Sequence, residues 1–177
     1  MRTAVLLVAG FTLVAAAAGA QPMLGPPTAD VRDALVTALQ DEHHAHAVYA
    51  RVIEAHGDVR PFVNVVRAEQ RHIDALLRTF GTLGIAAPEP AWTTANVPAF
   101  ANVAEACAAA ATAERDNIAL YDQLLAPELP PNVRQVFVRL RDASLQRHLP
   151  AFERCGGAGA GRSARTGAAK GWRAGRR

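Results

Sequence analysis

The sequence predicts an all-α protein: an antiparallel four-helix bundle made of two helical hairpins joined by a long crossover. Three observations predict it. Four segments carry apolar residues at the spacing of amphipathic helices. Short breaks at Gly57 and Pro130-Pro131 separate the members of each pair, whereas a proline-rich stretch, 81–101, separates the two pairs. The two halves of the chain also repeat the same polar pattern.

Length and composition agree with one such domain. The chain has 177 residues, of which 50% are hydrophobic and only 6% aromatic. The core is therefore built mainly from alanine, valine and leucine. Intrinsic disorder, collagen-like repeats and disulfide-rich miniproteins are excluded, and two cysteines cannot form a four-cysteine zinc site.

Each predicted helix has a recognisable start or stop. The first ends before Gly57 and the second before Gly81, and Asn102 with Glu105 forms a capping box that opens the third. Pro150 lacks a backbone donor, so we expect the last turns of the fourth helix to bend. The expected bounds are 30–56, 59–80, 102–126 and 132–155.

The internal repeat places similar polar residues in both halves. In the first and third helices, a glutamate lies seven residues before a tyrosine: Glu42 before Tyr49, and Glu114 before Tyr121. In the second and fourth helices, the tripeptide Gln-Arg-His ends at His72 and at His148. Each hairpin thus offers a glutamate on one helix and a histidine on the other.

These residues point to a metal site in the core. Glu69 and His72 are three residues apart and share one helix face, which is also the apolar face. A buried carboxylate is unfavourable unless it is paired or bound to a metal. Carboxylate and imidazole ligands suit iron and manganese, and imidazole also suits zinc and copper. A buried hydrogen-bond network is the alternative. The candidate ligands are Glu42, Glu69, His72, Glu114 and His148.

The pattern resembles the ferritin-like superfamily, near rubrerythrin and bacterioferritin. It is most similar to an uncharacterised prokaryotic family, the domain of unknown function 2202. The resemblance covers 30–155 and is carried by Asp41-Glu42, Glu69-Gln-Arg-His72, Glu114 with Tyr121, and the segment 143–152, Ala-Ser-Leu-Gln-Arg-His-Leu-Pro-Ala-Phe. It implies a ferritin-like bundle with a di-iron or mononuclear iron site at those ligands, with manganese, zinc or copper as alternatives.

The fourth helix departs from that pattern. The repeat places Leu145 where Glu69 stands in the second helix, so a carboxylate that would bridge two metals is missing. Two divalent ions facing three carboxylates would leave a charge of +1. A mononuclear or asymmetric site, or a vestigial site in a structural bundle, is therefore an alternative.

Other polar residues of the helices are weaker candidates for a functional role. We interpret Tyr49 and Tyr121 as core residues that donate hydrogen bonds to the carboxylates, rather than as radical sites. His43 and His46 are a possible additional metal site, although a polar surface face is the commoner explanation of such a cluster. His44 is expected to point to solvent.

The two cysteines are expected to form a disulfide. Cys107 lies seven residues before Glu114, and Cys155 lies seven residues after His148. In antiparallel helices both displacements run the same way by ~10 Å and keep the face of the ligand, so the two cysteines can meet. Two buried free thiols are the alternative, which an oxidising compartment disfavours.

The N-terminal residues indicate export. Residues 1–20 contain Arg2, an apolar run and the sequence Ala18-Gly19-Ala20, which together predict a signal peptide cleaved near Ala20. An uncleaved anchor is the alternative, although the run is short for a bilayer span of ~20 residues. Residues 21–29 form a linker, and the mature protein is expected to be periplasmic or secreted.

The charge is divided unequally along the chain. The net charge is +3; Arg2 contributes +1 and the six cations after Cys155 contribute +6, which leaves −4 for 21–155. The tail, 156–177, is therefore a basic, disordered extension that can contact an acidic surface. The acidic bundle itself is not expected to bind nucleic acid.

Three functions follow from these observations. The first, implied by the resemblance, is iron oxidation or peroxide-linked redox chemistry at the metal site. The second is a metal-binding protein without catalysis, and the third is a structural bundle with a vestigial site. Whether the protein is an enzyme stays open at this point, and so does its oligomeric state, with a dimer as one option.

Overall fold

The computed structural model describes residues 28–160, with side chains as far as Gly156. The predicted signal peptide, most of the linker and tail residues 161–177 lie outside the described residues. All regular structure within 28–160 is helical, which confirms the prediction of an all-α helical bundle. The helices are α1 (Ala29–His56), α2 (Phe62–Thr82), α3 (Val103–Leu124), α4 (Pro131–Ala143), a π-helical turn (Ser144–His148) and α5 (Leu149–Ala160).

Two apolar clusters fill the bundle, and a polar layer lies between them. The first cluster is formed by the beginning of α1, the ends of α2 and α3, and α4. The second is formed by the end of α1, the beginnings of α2 and α3, and α5. Leu35, Phe80 and Phe137 are completely or almost completely buried in the first cluster, and Phe62 and Phe152 are completely buried in the second.

The order in which each helix meets the clusters gives its direction. α1 and the α4–α5 segment run from the first cluster to the second, whereas α2 and α3 run from the second to the first. α1 and α2 therefore form one antiparallel hairpin, and α3 with α4–α5 forms another. Because α2 and α3 run in parallel, the connection between them must return along the whole bundle.

Residues 83–102 make this return along α1. The Gln40 side chain donates to the Glu89 carbonyl and accepts from the Ala91 amide, both at 2.9 Å. Further along, His56 Nε2 lies 3.0 Å from the Phe100 carbonyl oxygen. The long crossover is thus attached to α1 at two places, at Gln40 and at His56, the last residue of the helix.

The fourth predicted helix is interrupted, because α4 and α5 are separated by the π-helical turn. The Leu149 amide donates to the Ser144 carbonyl, five residues back. Pro150 explains this turn, since its ring has no N–H and would collide with the carbonyl four residues earlier in a regular α-helix. The extra residue in the turn rotates the preceding side chains around the axis. α5 also continues to Ala160, beyond the expected end at Cys155.

Helix ends and a disulfide hold the second hairpin together. The Glu105 amide donates to Asn102 Oδ1 at 2.9 Å, which is one of the two bonds of the predicted capping box. The Glu105 side chain accepts through Oε2 from the Ala101 amide at 3.2 Å, one residue before the N-cap. Cys107 on α3 and Cys155 on α5 are joined by a disulfide, with 5.8 Å between their Cα atoms. No helix within 28–160 is long and apolar enough to cross a membrane.

Candidate metal centre

The polar layer brings all five candidate ligands together. Each helix of the bundle supplies one or two of them at the level between the apolar clusters. The three glutamates and His148 are almost completely buried, and His72 is only slightly exposed. No Lys or Arg occurs among the buried residues of the described part. The ligands are Glu42 on α1, Glu69 and His72 on α2, Glu114 on α3, and His148 in the π-helical turn.

The first group of ligand atoms consists of Glu42, Glu69 and His72. His72 Nδ1 lies 2.9 Å from Glu69 Oε2 and 3.1 Å from Glu42 Oε2. The ligand atoms of the group all lie within 4.8 Å of one another. One imidazole nitrogen and two carboxylate oxygens therefore lie close enough together that they could hold a cation.

The second group consists of Glu69, Glu114 and His148. His148 Nδ1 lies 3.1 Å from Glu69 Oε1 and 3.5 Å from Glu114 Oε2. These contacts are close enough for attraction between charges, but neither has hydrogen-bond geometry, and this buried nitrogen has no hydrogen-bond partner in the described residues. When the imidazole is protonated, the two carboxylates balance its charge, and a cation between them could take the place of that proton.

Glu69 belongs to both groups. Its Oε2 faces His72 in one group and its Oε1 faces His148 in the other. The two imidazole rings are stacked with their centroids 5.3 Å apart. Glu69 could therefore contribute one oxygen to a cation in each group.

Two tyrosines hold the outer glutamates from opposite hairpins. Tyr49 donates to Glu114 Oε1 at 2.6 Å, and Tyr121 donates to Glu42 Oε1 at 2.6 Å. Each bond fixes one oxygen and leaves the other, Oε2, facing a histidine. Hydrogen bonds of this kind orient the ligands of metal sites, and the two tyrosines do what the sequence predicted.

The carboxylates and imidazoles of the site strongly affect one another's pKa values. Burial lowers the pKa of His72 and of His148, but the facing carboxylates outweigh it and raise the pKa values to about 10 and about 9. Burial raises the pKa of Glu69, yet the two histidines hold it below its usual value. Burial and the neighbouring Glu69 raise the pKa of Glu42 to about 7. Both histidines are therefore protonated at neutral pH when no metal is bound.

The sequence assignment of Leu145 to the bridging position is wrong. The π-helical turn rotates this segment, so that Leu145 is 45% exposed, whereas Ser144 is 2% exposed and faces the core with His148. The residue that stands in place of a fourth carboxylate is therefore Ser144. The physical reason is Pro150, which forces the wider turn and shifts the register by one residue.

The histidines of α1 differ in their surroundings. His43 and His46 are half-buried, and neither joins a close group of three ligand atoms in the described residues. Burial lowers the pKa of His46 despite the opposing charge of Glu69. The expectation that His44 points to solvent is wrong, since its ring packs at an angle of 40° against Trp92 of the crossover, with 4.4 Å between centroids. The crossover covers a face that looks exposed in the helix alone.

Sequence reasoning missed a small cavity of about 10 Å³ between α1 and α3. Asp41, His44 and Asn117 line it, together with Glu69 and Glu114 from the second group of ligands. Asn117 lies three residues after Glu114 and therefore on the same helix face. That spacing is the signal that could have identified it.

The comparisons with known proteins show the fold only. No family model matches the chain, and no curated protein matches it. A hypothetical protein from Methanococcus jannaschii DSM 2661 has a similar structure, with a TM-score of 0.67 and 19% sequence identity, over 78% of this chain and 86% of that chain. The helical bundle is thus a shared fold, and the ferritin-like family stays a prediction.

Proposed function

We propose that this protein is an extracytoplasmic ferritin-like metalloprotein that holds two divalent metal ions, iron first among them, and uses them in iron oxidation or peroxide-linked redox chemistry. One observation carries the proposal: within the described residues, two groups of ligand atoms share Glu69, and each group brings two carboxylate oxygens and one imidazole nitrogen within 4.8 Å of one another.

The donor atoms support a hard or intermediate metal. The two groups offer carboxylate oxygens and imidazole nitrogens, which suit Fe(II) and Mn(II) and are compatible with Zn(II). Thiolate ligands, which favour softer ions, are not available, because Cys107 and Cys155 are joined to each other. Bound iron would supply one-electron oxidation and reduction at the site.

The protein's own side chains would set the conditions for that chemistry. Glu69 would hold both positions at a fixed separation, and Tyr49 and Tyr121 would keep the outer carboxylates in place. His72 and His148 would bind in their neutral forms, so each must first lose the proton that its raised pKa retains. The apolar clusters on either side limit the access of bulk water.

The ferritin-like arrangement and the location are supported by separate observations. Parallel α2 and α3 with one long crossover is the topology of ferritin-like bundles. A disulfide persists in oxidising compartments, which agrees with export directed by residues 1–20. Both statements are part of the proposal.

A metal-holding protein without turnover is the second candidate, and Ser144 favours it. This buried serine takes the place of a fourth carboxylate, so two divalent ions would face only three acidic ligands. The incomplete neutralisation would weaken binding at one position and leave an asymmetric site.

Metal content measured on purified protein expressed from the full-length sequence tests the proposal. The protein is loaded anaerobically with Fe(II), Mn(II), Zn(II) and Cu(II) in competition, beside Glu69→Gln and the control Glu54→Gln, whose side chain is 50% exposed. We expect about two ions per chain, lost in Glu69→Gln and retained in the control, because Glu69 serves both groups. Metal that survives Glu69→Gln would refute the shared site.

An assay of catalytic turnover distinguishes the redox function from the metal-holding function. With excess Fe(II) as substrate and hydrogen peroxide as oxidant, two Fe(II) ions give two electrons to one peroxide, which takes up two protons and yields two water molecules. Catalysis is shown if the protein accelerates peroxide consumption over many equivalents and Glu69→Gln does not. A single stoichiometric binding event without turnover would leave the metal-holding function.

A further inference from the structure

The cavity between α1 and α3 leads to one end of the metal centre. Its lining includes Glu69 and Glu114 of the second group of ligands, but neither Glu42 nor His72. Ala45 and Ala113 form walls with small side chains. The cavity thus reaches the two carboxylates of the second group, whereas His148 is not among its lining residues.

Asn117 is the unexplained residue of this cavity. Its side chain is more than nine-tenths buried, at 8% exposure, and its Nδ2 donates to Asp41 Oδ2 at 2.9 Å. That bond fixes the amide, and Oδ1 then has no hydrogen-bond partner within the described residues. A buried carbonyl oxygen without a partner destabilises the fold. We therefore expect a hydrogen-bond donor or a cation beside Asn117 Oδ1 in the cavity.

The charge of the lining selects a cation. Four carboxylates line it, those of Asp41, Glu69, Glu114 and Asp116, against one imidazole, that of His44, and no lysine or arginine of the described residues. The free volume of about 10 Å³ is near the space that one water-sized particle occupies. Carboxylate and amide oxygens are the ligands of hard divalent cations, which keep part of their water shell at such sites.

We propose that this cavity is an outer binding site for a divalent cation and the route by which the cation reaches the second ligand group. Asn117 Oδ1 replaces one water of the incoming ion, and the carboxylates of Glu69 and Glu114 in the lining attract the ion towards the second ligand group. The inference rests on the proposed function, since it assigns a route to the same metal centre. It adds a site, at Asn117, that is not part of either ligand group.

Loading kinetics test the route separately from the metal centre. Co(II), which absorbs visibly when bound by nitrogen and oxygen ligands, is mixed with metal-free protein expressed from the full-length sequence. The rate of the absorption change and the final cobalt content are both recorded. The variants are Asn117→Leu, Asn117→Asp and Ala45→Leu, and the control is Gln123→Leu, an exposed amide on the same helix.

The variants are expected to differ in the rate at which they load cobalt. Asn117→Leu removes the oxygen and should slow loading by roughly tenfold or more, with the cobalt of the two ligand groups unchanged and the outer ion lost. Asn117→Asp keeps an oxygen and adds a negative charge, but it loses the donor to Asp41, so it should load faster than Asn117→Leu. Ala45→Leu fills the cavity and should also slow loading, and it decides the outcome if Asn117→Leu does not fold. Gln123→Leu should load at the original rate.

The two proposals fail in different ways. If the original protein binds no Co(II) and no other divalent ion, the metal centre is refuted and the route with it. If the protein binds Co(II) but Asn117→Leu and Ala45→Leu load at the original rate, the centre stands and the route is refuted. Equal slowing by Asn117→Leu and Asn117→Asp would show a purely structural role and would also overturn the inference.

Discussion

A fourth carboxylate, added by mutation, tests which residue faces the site: Ser144, as in the structure, or Leu145, as the sequence repeat predicts. The structure predicts that Ser144→Glu completes the metal centre, because Ser144 is buried beside His148. The repeat predicts the same for Leu145→Glu, although Leu145 is 45% exposed. The two substitutions are adjacent in the chain and add the same group, so each is the control for the other.

The expected magnitudes follow from burial and charge. In the metal-free protein the new buried carboxyl group can stay protonated, so Ser144→Glu should lower the free energy of unfolding by roughly 1–3 kcal/mol. When metal is bound, a carboxylate about 4 Å from a unit charge gains about 4 kcal/mol at an effective dielectric constant near 20. The net gain of about 1–3 kcal/mol corresponds to roughly 5- to 150-fold tighter binding of the second ion. Leu145→Glu should change stability by less than about 0.5 kcal/mol.

Competition titration with a chromogenic chelator measures the affinity of the second ion, and thermal unfolding with and without metal measures stability. Ser144→Glu should be less stable without metal and should gain more than the original protein when metal is added. If Leu145→Glu tightens the second ion while Ser144→Glu does not, the side-chain register of the π-helical turn is wrong, and so is the explanation based on Pro150.

Two further predictions concern protons and the disulfide. Since the pKa values of His72, His148 and Glu42 are raised to about 10, about 9 and about 7, loading two ions at pH 7 should release about two to three protons per chain. Calorimetry in buffers of different ionisation enthalpy measures this release, and no release would contradict the charge assignment. The raised pKa values of the two histidines stabilise the metal-free protein fully below pH ~6.5, and this stability should be lost as the pH rises through 9 and 10, while metal affinity increases. Replacing Cys107 and Cys155 by alanine opens a loop with a sequence separation of 48 residues and should lower the free energy of unfolding by roughly 2–4 kcal/mol in a denaturant titration; an unchanged midpoint would show that packing of α3 on α5 suffices.

The helices and the ligand set were predictable because they depend on local spacing. The apolar period locates α1, α2 and α3 to within a few residues at either end. A spacing of three residues places Glu69 and His72 on one face wherever the helix packs. The repeat then assigns the matching residues of the second hairpin, Glu114 and His148.

The register of the fourth helix was not predictable from the repeat. A proline predicts a disturbance but not its form, since the helix can kink, end or widen into a π-helical turn. The choice depends on how α4 and α5 each pack against α3. The same one-residue shift decides that Ser144 faces the centre and Leu145 faces solvent.

By itself, the sequence determined an all-helical bundle and indicated the five residues of the polar layer and the two tyrosines, because these follow from the period of each helix and from the internal repeat. Only the tertiary structure decided which oxygen of Glu69 faces which histidine, how the crossover covers His44, and how Asn117 meets Asp41. These features arise where different helices or the crossover meet, and their geometry depends on packing between segments distant in the chain.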